Sequence, residues 1–461
     1  MRTFSWRSHP ALTLVPHDRV VEIDDPALPS VPHLTGAGAH DVVGAAVVAA
    51  GGTLHDLTPT QVQYRPGSDL VVRYRADVTW ADGRRRGAET LLAAAHRGGA
   101  LPGTIPVVAD DEGLVASVWR WPFDPLVVGL TDAVTPGRTD DLVAGIVGAC
   151  TAVEVVAYRP TERAVVRLTG GDGRVAYLKV LPPAQLPALV ERHRRLHDAG
   201  LPVPEVLAVD ADRGIAVLRA LPGTTLRERI KDDLPGWPAA DAITDLVGRI
   251  HRTDPGGLGT RAGRIADATG HAQLVATVVP ALVPALDALT ARFADEDGVV
   301  AARSGAVVHG DLHEGQLVVD PTGAVTGLLD VDDVAGGDPV DDLATLIGHL
   351  RFRARSADPS ATGSGRLLAH LRALHDHAAA RVGREAIDVA VAAVLVGLAA
   401  GPYRVQRPGW QADVAAVVAD ATDVLAGRTD RRGFSGAPHE HLTRAPESGN
   451  RQPIPLTKGS A

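Results

Sequence analysis

The chain has 461 residues, enough for two or three domains, and its 45% hydrophobic and 22% charged residues are typical of a globular protein. The net charge of −9 argues against a nucleic-acid partner held through its phosphates, and the single cysteine excludes an internal disulfide and fits a reducing cytoplasm. No signal peptide is recognisable and no apolar stretch is long enough to span a bilayer, so we expect a cytoplasmic protein without a membrane partner.

An internal duplication is the first feature along the chain. The tripeptide Tyr-Arg-Pro at 64–66 precedes a strand pattern at 70–73, and the same tripeptide at 158–160 precedes a matching pattern at 164–167. Each copy continues through an Asp-Gly turn, a helical stretch, a Leu-Pro pair and a β-like run that ends in arginine. We interpret this as two copies of one β-rich unit, over 1–125 and 126–222. The alternative is two unrelated hairpins that share a turn type.

Helical periodicity dominates the chain after Pro222 and predicts a helical domain over 223–427. The helical segments fall at 238–251, 273–295, 339–349, 364–382 and 387–400. One short β-rich stretch, 306–334, interrupts them. The last segment, 428–461, is polar, contains Pro and Gly and has no periodicity, which predicts a disordered tail.

The β-rich stretch carries the residues with the clearest chemistry. It contains His-Gly-Asp-Leu-His at 309–313, with Asp311 five residues before Gln316 and nineteen before Asp330. Phosphoryl transfer needs a carboxylate that orients the attacking hydroxyl and oxygen ligands that hold Mg²⁺ against the phosphates. We predict Asp311 as the catalytic base and Gln316 and Asp330 as the Mg²⁺ ligands. The His-Gly-Asp-x-His pattern also allows a metal-dependent phosphoesterase, although that chemistry needs further His and Asp blocks.

This stretch resembles the aminoglycoside phosphotransferase and choline kinase group, in which an H-G-D loop and a metal-binding Asp are followed by G-D-P-x-x-D-L-A, here 337–344. The form His-Gly-Asp-x-His-x-Gly-Gln more narrowly resembles maltokinases and bacterial glucosamine kinases, although 330–333 lacks the aromatic residue associated with those enzymes. The resemblance implies an α+β, protein-kinase-like bilobal fold with a β-rich N-lobe and a helical C-lobe. The first repeat would form an extra, degenerate N-lobe-like cap.

The same resemblance implies the function. It indicates an enzyme that uses ATP and Mg²⁺ to phosphorylate a hydroxyl group of a small molecule, a sugar or amino sugar. An aminoglycoside-type antibiotic kinase and a catalytically weak, nucleotide-binding pseudokinase are the alternatives.

Further nucleotide-binding residues are expected in the second repeat. Lys179 lies in a strand pattern like that of the kinase lysine, and Glu191 on the following helix would pair with it. The hinge between the lobes would fall at 218–222, which places Arg219 and Leu221 beside the nucleotide. In the first repeat, Glu89 occupies the place of Lys179 when counted from the Asp-Gly turn, so this copy would bind no nucleotide.

Acceptor-binding residues are expected in two places. His313 and Asp332 flank the predicted base and metal ligands, although each has a structural alternative, as loop support or as a turn carboxylate. Arg404 and Trp410 lie in a polar and aromatic break between helices, which suits a sugar and equally suits a helix–helix connection. Asp338 and Asp342 are expected to cap the helix that begins at Pro339, where Asp before proline is a favoured start.

Overall fold

Two antiparallel sheets of identical strand order form the first half of the molecule. The computed structural model describes residues 25–81, 87–109, 114–296, 305–356, 362–406 and 409–428, together with Gln452–Pro453. The first unit contains α1 (Val31–Thr35), α2 (Ala39–Ala49), β1 (Gly52–Arg65), β2 (Asp69–Trp80), β3 (Gly87–His96), β4 (Ile105–Ala109) and β5 (Leu114–Arg120). Its strands run in the order β1-β2-β3-β5-β4.

The second unit repeats this arrangement and adds a helix. It contains α3 (Leu130–Val134), α4 (Asp140–Val147), β6 (Cys150–Arg159), β7 (Arg163–Gly170), β8 (Val175–Val180), α5 (Leu186–Asp198), β9 (Val206–Asp210) and β10 (Ile215–Arg219). Its strands run β6-β7-β8-β10-β9, the order of the first sheet. The matching topology supports the interpretation of the sequence repeat as a structural duplication.

The duplication begins earlier than the sequence pattern indicated. In the first unit Asp25 accepts hydrogen bonds from the Tyr64 hydroxyl at 2.8 Å and from the Gly67 amide at 2.8 Å. In the second unit Asp124 accepts them from the Tyr158 hydroxyl at 2.7 Å and from the Thr161 amide at 2.8 Å. An aspartate before the first helix therefore fixes the first hairpin turn of each unit. Because each aspartate lies far from its tyrosine along the chain, the sequence pattern did not reveal that the aspartates are equivalent.

The two units differ between their third and fourth strands. The second unit has the thirteen-residue helix α5 there, whereas residues 97–104 of the first unit form turns. The expected helical stretch before Leu101 is therefore wrong. A chain of eight residues is too short for a helix of that length together with its two connections.

The strand register also corrects the counterpart of Lys179 in the first unit. Lys179 lies opposite Val165, and the matching residue Val71 lies opposite Ala94. Ala94, and not Glu89, is thus the counterpart. Counting from the turn failed because β2 has twelve residues and β7 has eight, so the first hairpin is longer.

The second half of the described chain is mainly helical. Its elements are β11 (Thr224–Thr225), α6 (Leu226–Lys231), α7 (Ala240–His251), α8 (Arg264–Val278), α9 (Val283–Ala294), β12 (Ala306–Val308), β13 (Leu317–Val319), β14 (Val325–Leu328), β15 (Ala335–Gly337), α10 (Val340–Ser356), α11 (Thr362–Val382), α12 (Arg384–Ala399), α13 (Gly401–Arg404), α14 (Trp410–Leu425) and β16 (Gln452–Pro453). The five helical segments predicted from periodicity correspond to α7, α8 with α9, α10, α11 and α12. Of the predicted disordered tail, Arg428 and β16 are described, and β16 pairs with β6.

The helical lobe is organised around α12. This helix packs against α8, α10 and α14, and its apolar residues are almost all buried. Together with α13 it forms a stretch, Arg384–Arg404, that is long and apolar enough to cross a membrane by length and composition, but 67% of the apolar 18-residue window within it is buried inside the protein. The core of the first sheet is continuous with that of this lobe, while most of the second sheet has a core of its own.

Two small sheets at the junction of the lobes position the loops of interest. β12 pairs with β15, and β13 pairs with β11 and β14. The loop after β12 and the loop after β14 therefore emerge side by side, facing the second sheet.

Candidate active site

The loop that follows β12 is held by a buried carboxylate on α10. Asp342 accepts the backbone amides of His309 and Gly310, each at 2.9 Å, and contacts His251 Nε2 at 3.3 Å. Gly310 has φ +85°, and a Cβ there would lie 2.6 Å from the Asp333 carbonyl oxygen, so only glycine fits this turn. Asp338 caps α10 through the Val340 amide as expected. The capping role expected of Asp342 is wrong, because its side chain points back to the loop.

Asp311 leaves this loop next to a cation that the sequence analysis missed. Its Oδ1 lies 3.1 Å from Arg264 Nη2, at the start of α8, and the Arg264 guanidinium also donates to the Gly310 carbonyl. Burial raises the pKa of Asp311, but the positive charge of Arg264 and the neighbouring His313 lower it to about 2. Asp311 is therefore ionised at neutral pH. Arg264 precedes Asp311 by 47 residues, a separation that no local pattern reveals.

Lys179 reaches from β8 to the loop after β14. Its ammonium lies 2.7 Å from Asp330 Oδ1 and also contacts Asp332, and its side chain is only 5% exposed. Arg163, at the start of β7, pairs with the same two carboxylates at 3.0 and 3.3 Å. Burial raises the pKa of Asp330, but Lys179, Arg163 and, more weakly, Arg159 lower it. Two cations of the second sheet thus meet two carboxylates of the helical lobe.

Gln316 and Asp330 are neighbours that could supply two oxygens to a divalent cation. In the structure Gln316 Nε2 donates to Asp330 Oδ2 at 3.4 Å, and Asp330 has φ +54°, a left-handed conformation. Mg²⁺ binds oxygens at about 2.0–2.1 Å and usually keeps several waters, so one carboxylate and one amide oxygen fit it. Among the described residues no group of three His, Cys, Asp or Glu side chains is arranged for a metal, which gives no support to a multinuclear phosphoesterase site.

His313 lies within this site as a neutral ring. It stacks on His349 with 4.8 Å between centroids, its Nδ1 accepts the Gly315 amide at 2.9 Å, and its Nε2 lies 3.1 Å from the Gln316 amide. Burial and the neighbouring His349 lower the pKa of His313 to about 3. Loop support, one of the two roles considered for His313, is therefore what its hydrogen bonds provide.

Glu314 is a buried residue that the motif analysis left aside. Its carboxylate contacts Arg227 on α6 at 3.1 Å and Arg353 on α10 at 2.9 Å. Burial raises the pKa of Glu314, but these two guanidinium groups lower it far more. Glu314 therefore links the loop to two helices through ion pairs. Its position three residues after Asp311 was the feature of the sequence that could have indicated this role.

The predicted partnership of Glu191 with Lys179 is wrong. Glu191 is 41% exposed on α5 and pairs with Arg194 and Arg195 at 2.8 and 2.6 Å. The face of α5 toward the sheet carries buried His193 instead, whose Nδ1 bonds to the Pro204 carbonyl at 2.8 Å. A spacing of twelve residues placed Glu191 on the right helix but on its solvent face.

His193 should make stability depend on pH. Burial lowers the pKa of His193 to about 4 from its ordinary value of 6.5, so the unfolded state binds the proton more readily. The free energy of unfolding should therefore fall as pH drops below 6.5, by about 2 kcal/mol between pH 7.5 and 5 from this group. When His193→Leu is unfolded with urea at both pH values, its free energy of unfolding should lack this part of the decrease. An unchanged decrease would contradict the neutral state of His193.

The expected hinge residues lie at the end of β10. Arg219 is 58% exposed and pairs with Glu205 at 2.8 Å, and its amide donates to the Glu205 carbonyl. Leu221 packs over Gly327, because a Cβ added to Gly327 would lie 2.5 Å from Leu221 Cδ1. The Arg219 side chain is turned to Glu205, whereas Leu221 covers β14, which leads to Asp330.

The two expected acceptor residues after α12 have different environments. Arg404 is exposed at the end of α13. Trp410 begins α14 with its ring buried, in edge contact with Tyr403 at 5.1 Å between centroids. Trp410 is therefore a core residue, and its expected role in sugar binding is wrong. An aromatic residue at the start of a helix is as useful to packing as to a ligand.

Taken together, a cationic β-sheet lobe, a buried lysine–aspartate pair and a carboxylate loop define a phosphoryl-transfer site in a bilobal, kinase-like α+β fold. Residues 159–380 match the model of the phosphotransferase enzyme family APH. This segment, just under half of the chain, matches that family, which confirms the resemblance and the predicted kinase-like fold.

Solved structures with similar folds include several phosphotransferases. Aminoglycoside phosphotransferase APH(3'')-Id from Streptomyces rimosus, with ADP and streptomycin, is 24% identical and covers 51% of this chain and 90% of its own, with a TM-score of 0.37. A thermostable APH(4)-Ia with ADP and hygromycin B is 19% identical over 64% and 98%, with a TM-score of 0.42. An ethanolamine kinase of Plasmodium vivax is 10% identical over 65% and 90%, with a TM-score of 0.42. No curated protein sequence matches the chain significantly.

Proposed function

We propose that this chain transfers the γ-phosphate of ATP to a hydroxyl group of a small molecule, in the first place a sugar, and works in the cytoplasm. The observation that carries the reaction type is the junction of the lobes, where Lys179 meets Asp330 beside Gln316 and Asp311. The free cysteine, Cys150, supports the location. The sugar is supported by Gln316 in the metal-ligand place of the motif.

Different residues of the site act on the nucleotide and on the acceptor. Lys179 and Arg163 neutralise Asp330 and Asp332 now, and they would turn to the phosphates when the nucleotide binds. Asp330 and Gln316 would hold Mg²⁺, which supplies charge neutralisation between the phosphates. Asp311, ionised beside Arg264, orients the acceptor hydroxyl and takes its proton as the new O–P bond forms and the bond from the γ-phosphorus to ADP breaks, with ADP as the leaving group.

The proposal is tested by phosphate transfer from Mg²⁺-ATP to a panel of sugars, amino sugars, aminoglycosides and amino alcohols. We expect a phosphorylated product, identified by mass spectrometry, with at least one sugar. Tight Mg²⁺-ATP binding without any product would favour the pseudokinase alternative. Absence of both binding and transfer would contradict the proposal as a whole.

The first unit is proposed to support the hairpin that covers the phosphates. Arg65, at the end of β1, pairs with Glu162 in the turn between β6 and β7. Arg73 donates to the Tyr158 carbonyl at 3.1 Å, and its guanidinium lies 5.2 Å from the centre of the Tyr158 ring. These contacts join the two repeats on the strand that leads to Arg163.

The duplicated aspartates provide a matched test of that hairpin. Asp124→Ala should lower the free energy of unfolding by about 2–3 kcal/mol, because it leaves the Tyr158 hydroxyl and the Thr161 amide without their charged acceptor. It should also raise the KM for ATP severalfold, since the hairpin carries Arg163. Urea unfolding and steady-state kinetics measure the two effects.

Asp25→Ala is the control, because Asp25 holds the equivalent turn of the first unit. A similar loss of stability with an unchanged KM for ATP is expected. Equal effects of the two variants on the KM would contradict a specific role of the second hairpin.

A further inference from the structure

Arg264, the first residue of α8, is fixed both at its backbone and along its side chain. Its amide donates to the Asp341 carboxylate at 3.2 Å, and its Nε donates to Thr345 Oγ1 at 3.1 Å. Its Nη2 donates to the Gly310 carbonyl and to Asp311 Oδ1, the second at 3.1 Å. Asp341 and Thr345 are buried on α10, so this helix holds the guanidinium while it contacts the loop that carries Asp311.

The same helix fixes the loop itself. Asp342 of α10 accepts two backbone amides of the loop, each at 2.9 Å, and it lies next to Asp341 in the first turn. The loop and Arg264 are therefore both attached to neighbouring residues of one helix. A rigid element, rather than a flexible connection, sets the distance between the guanidinium and the Asp311 carboxylate.

Arg264 occupies one oxygen of Asp311 and leaves the other without a partner. Among the residues that the structure describes, Oδ1 bonds to Arg264 and Oδ2 bonds to none. The Asp311 side chain is 23% exposed, so the carboxylate remains open to a hydroxyl group in the cleft. Because the terminal torsion of aspartate is broad, a donor that holds one oxygen also sets the direction of the other.

Arg264 is also the permanent positive charge beside this carboxylate. Burial and the negative charge of Asp330 raise the pKa of Asp311. His313 and His349 lie near, but burial lowers the pKa of both rings, to about 3 for His313, so both are neutral at pH 7. A guanidinium stays charged throughout the working range of an enzyme, so Arg264 keeps Asp311 ionised where the histidines do not.

We propose that Arg264 is the positioning residue of the catalytic base: it holds Oδ1 of Asp311 so that Oδ2 faces the acceptor hydroxyl. This inference rests on the proposed kinase function and adds to it a residue outside the loop motif. The acceptor proton passes to Oδ2 as the O–P bond forms and the bond from the γ-phosphorus to ADP breaks. Arg264 acts only through Asp311, because without it the carboxylate would rotate away from the productive orientation.

Arg261 offers a matched comparison within the same loop environment. It donates to the same Gly310 carbonyl, but none of its contacts in the described chain reaches Asp311. Its amide donates to the Gly336 carbonyl at 2.9 Å, and its Nη2 lies 3.7 Å from Asp267. Removal of either arginine leaves the other on the Gly310 carbonyl, so the loop keeps one of these two donors in each variant.

The test uses the full chain, Mg²⁺-ATP and the best acceptor of the panel. Arg264→Gln should lower kcat roughly 10- to 100-fold, the range for a lost hydrogen bond to a charged group, with an unchanged KM for ATP. Arg264→Lys keeps the charge and should recover part of this loss. Arg261→Gln should lower kcat by no more than about threefold, because the Asp311 contact is retained. An equal loss in Arg261→Gln and Arg264→Gln would overturn the inference.

The Asp311→Asn background separates positioning from a structural role. Arg264→Gln added to Asp311→Asn should lower kcat by no more than about twofold, because no carboxylate is left to position. A second loss of 10- to 100-fold in this background overturns the inference while the kinase proposal stands. Loss of Mg²⁺-ATP binding in Arg264→Gln, measured by calorimetry, overturns it equally. A parent chain without transfer to any acceptor contradicts the kinase proposal and this inference with it.

Discussion

Asp311→Asn should reduce kcat for phosphate transfer by roughly 10²- to 10⁴-fold, the range expected when a general base is removed. The amide has the shape of the carboxylate but cannot take the acceptor proton. Arg264 keeps its bonds to the Gly310 carbonyl and to Thr345 Oγ1 at 3.1 Å, so the loop should keep its conformation. Steady-state kinetics with the best acceptor of the panel measures the effect.

Binding and stability separate this loss from misfolding. Asp311→Asn should bind Mg²⁺-ATP as the parent does, because its carboxylate is not among the predicted metal ligands. Its thermal unfolding should also be close to that of the parent. A variant that keeps more than a tenth of the parent kcat would remove Asp311 from the role of base.

Asp330→Asn should reduce transfer by roughly 10³-fold, because a bound metal contributes several kcal/mol to transition-state stabilisation. The change removes a metal ligand and one of the two carboxylates that hold Lys179. Asparagine tolerates the left-handed conformation at φ +54°, so the backbone should be retained. Rates measured across a Mg²⁺ titration should show a large increase in the concentration needed for half-maximal activity.

Asp333→Asn is the neighbouring control for Asp330→Asn. Asp333 is exposed three residues further on and has no ion-pair partner among the described residues. Its variant should keep the parent rate and Mg²⁺ dependence within about twofold. Equal losses in the two variants would mean that general negative charge, rather than a ligand at Asp330, supports activity.

The loop motif was predictable because its parts are close in sequence. The spacing from Asp311 to Gln316 and Asp330 predicted the reaction type, and the structure places Gln316 and Asp330 within hydrogen-bonding distance. Lys179 was also predicted, since a rare lysine in an apolar strand is a strong signal, and the structure places it against Asp330. In each case the prediction rested on the residue type and its local pattern.

Errors arose where a helix face or a strand register decided the outcome. Glu191 lies on the predicted helix, yet rotation about the helix axis turned it to solvent and brought His193 inside. Glu89 was wrongly matched to Lys179 because the first hairpin is longer than the second. Trp410 was predicted to bind the acceptor, but it lies in the core. Spacing alone does not determine which side of an element faces the site.

The sequence by itself predicted a duplicated unit, the kinase-like class and the candidate residues of the phosphoryl-transfer loop, because these predictions depend on local pattern and on repeats. Only the tertiary structure decided what surrounds Asp311. Arg264 lies on α8, 47 residues before Asp311, and its charge acts on that carboxylate through space rather than along the chain. Coulombic interactions depend on distance in the folded molecule, so the cation beside Asp311 could be identified only after folding had brought Arg264 to the loop.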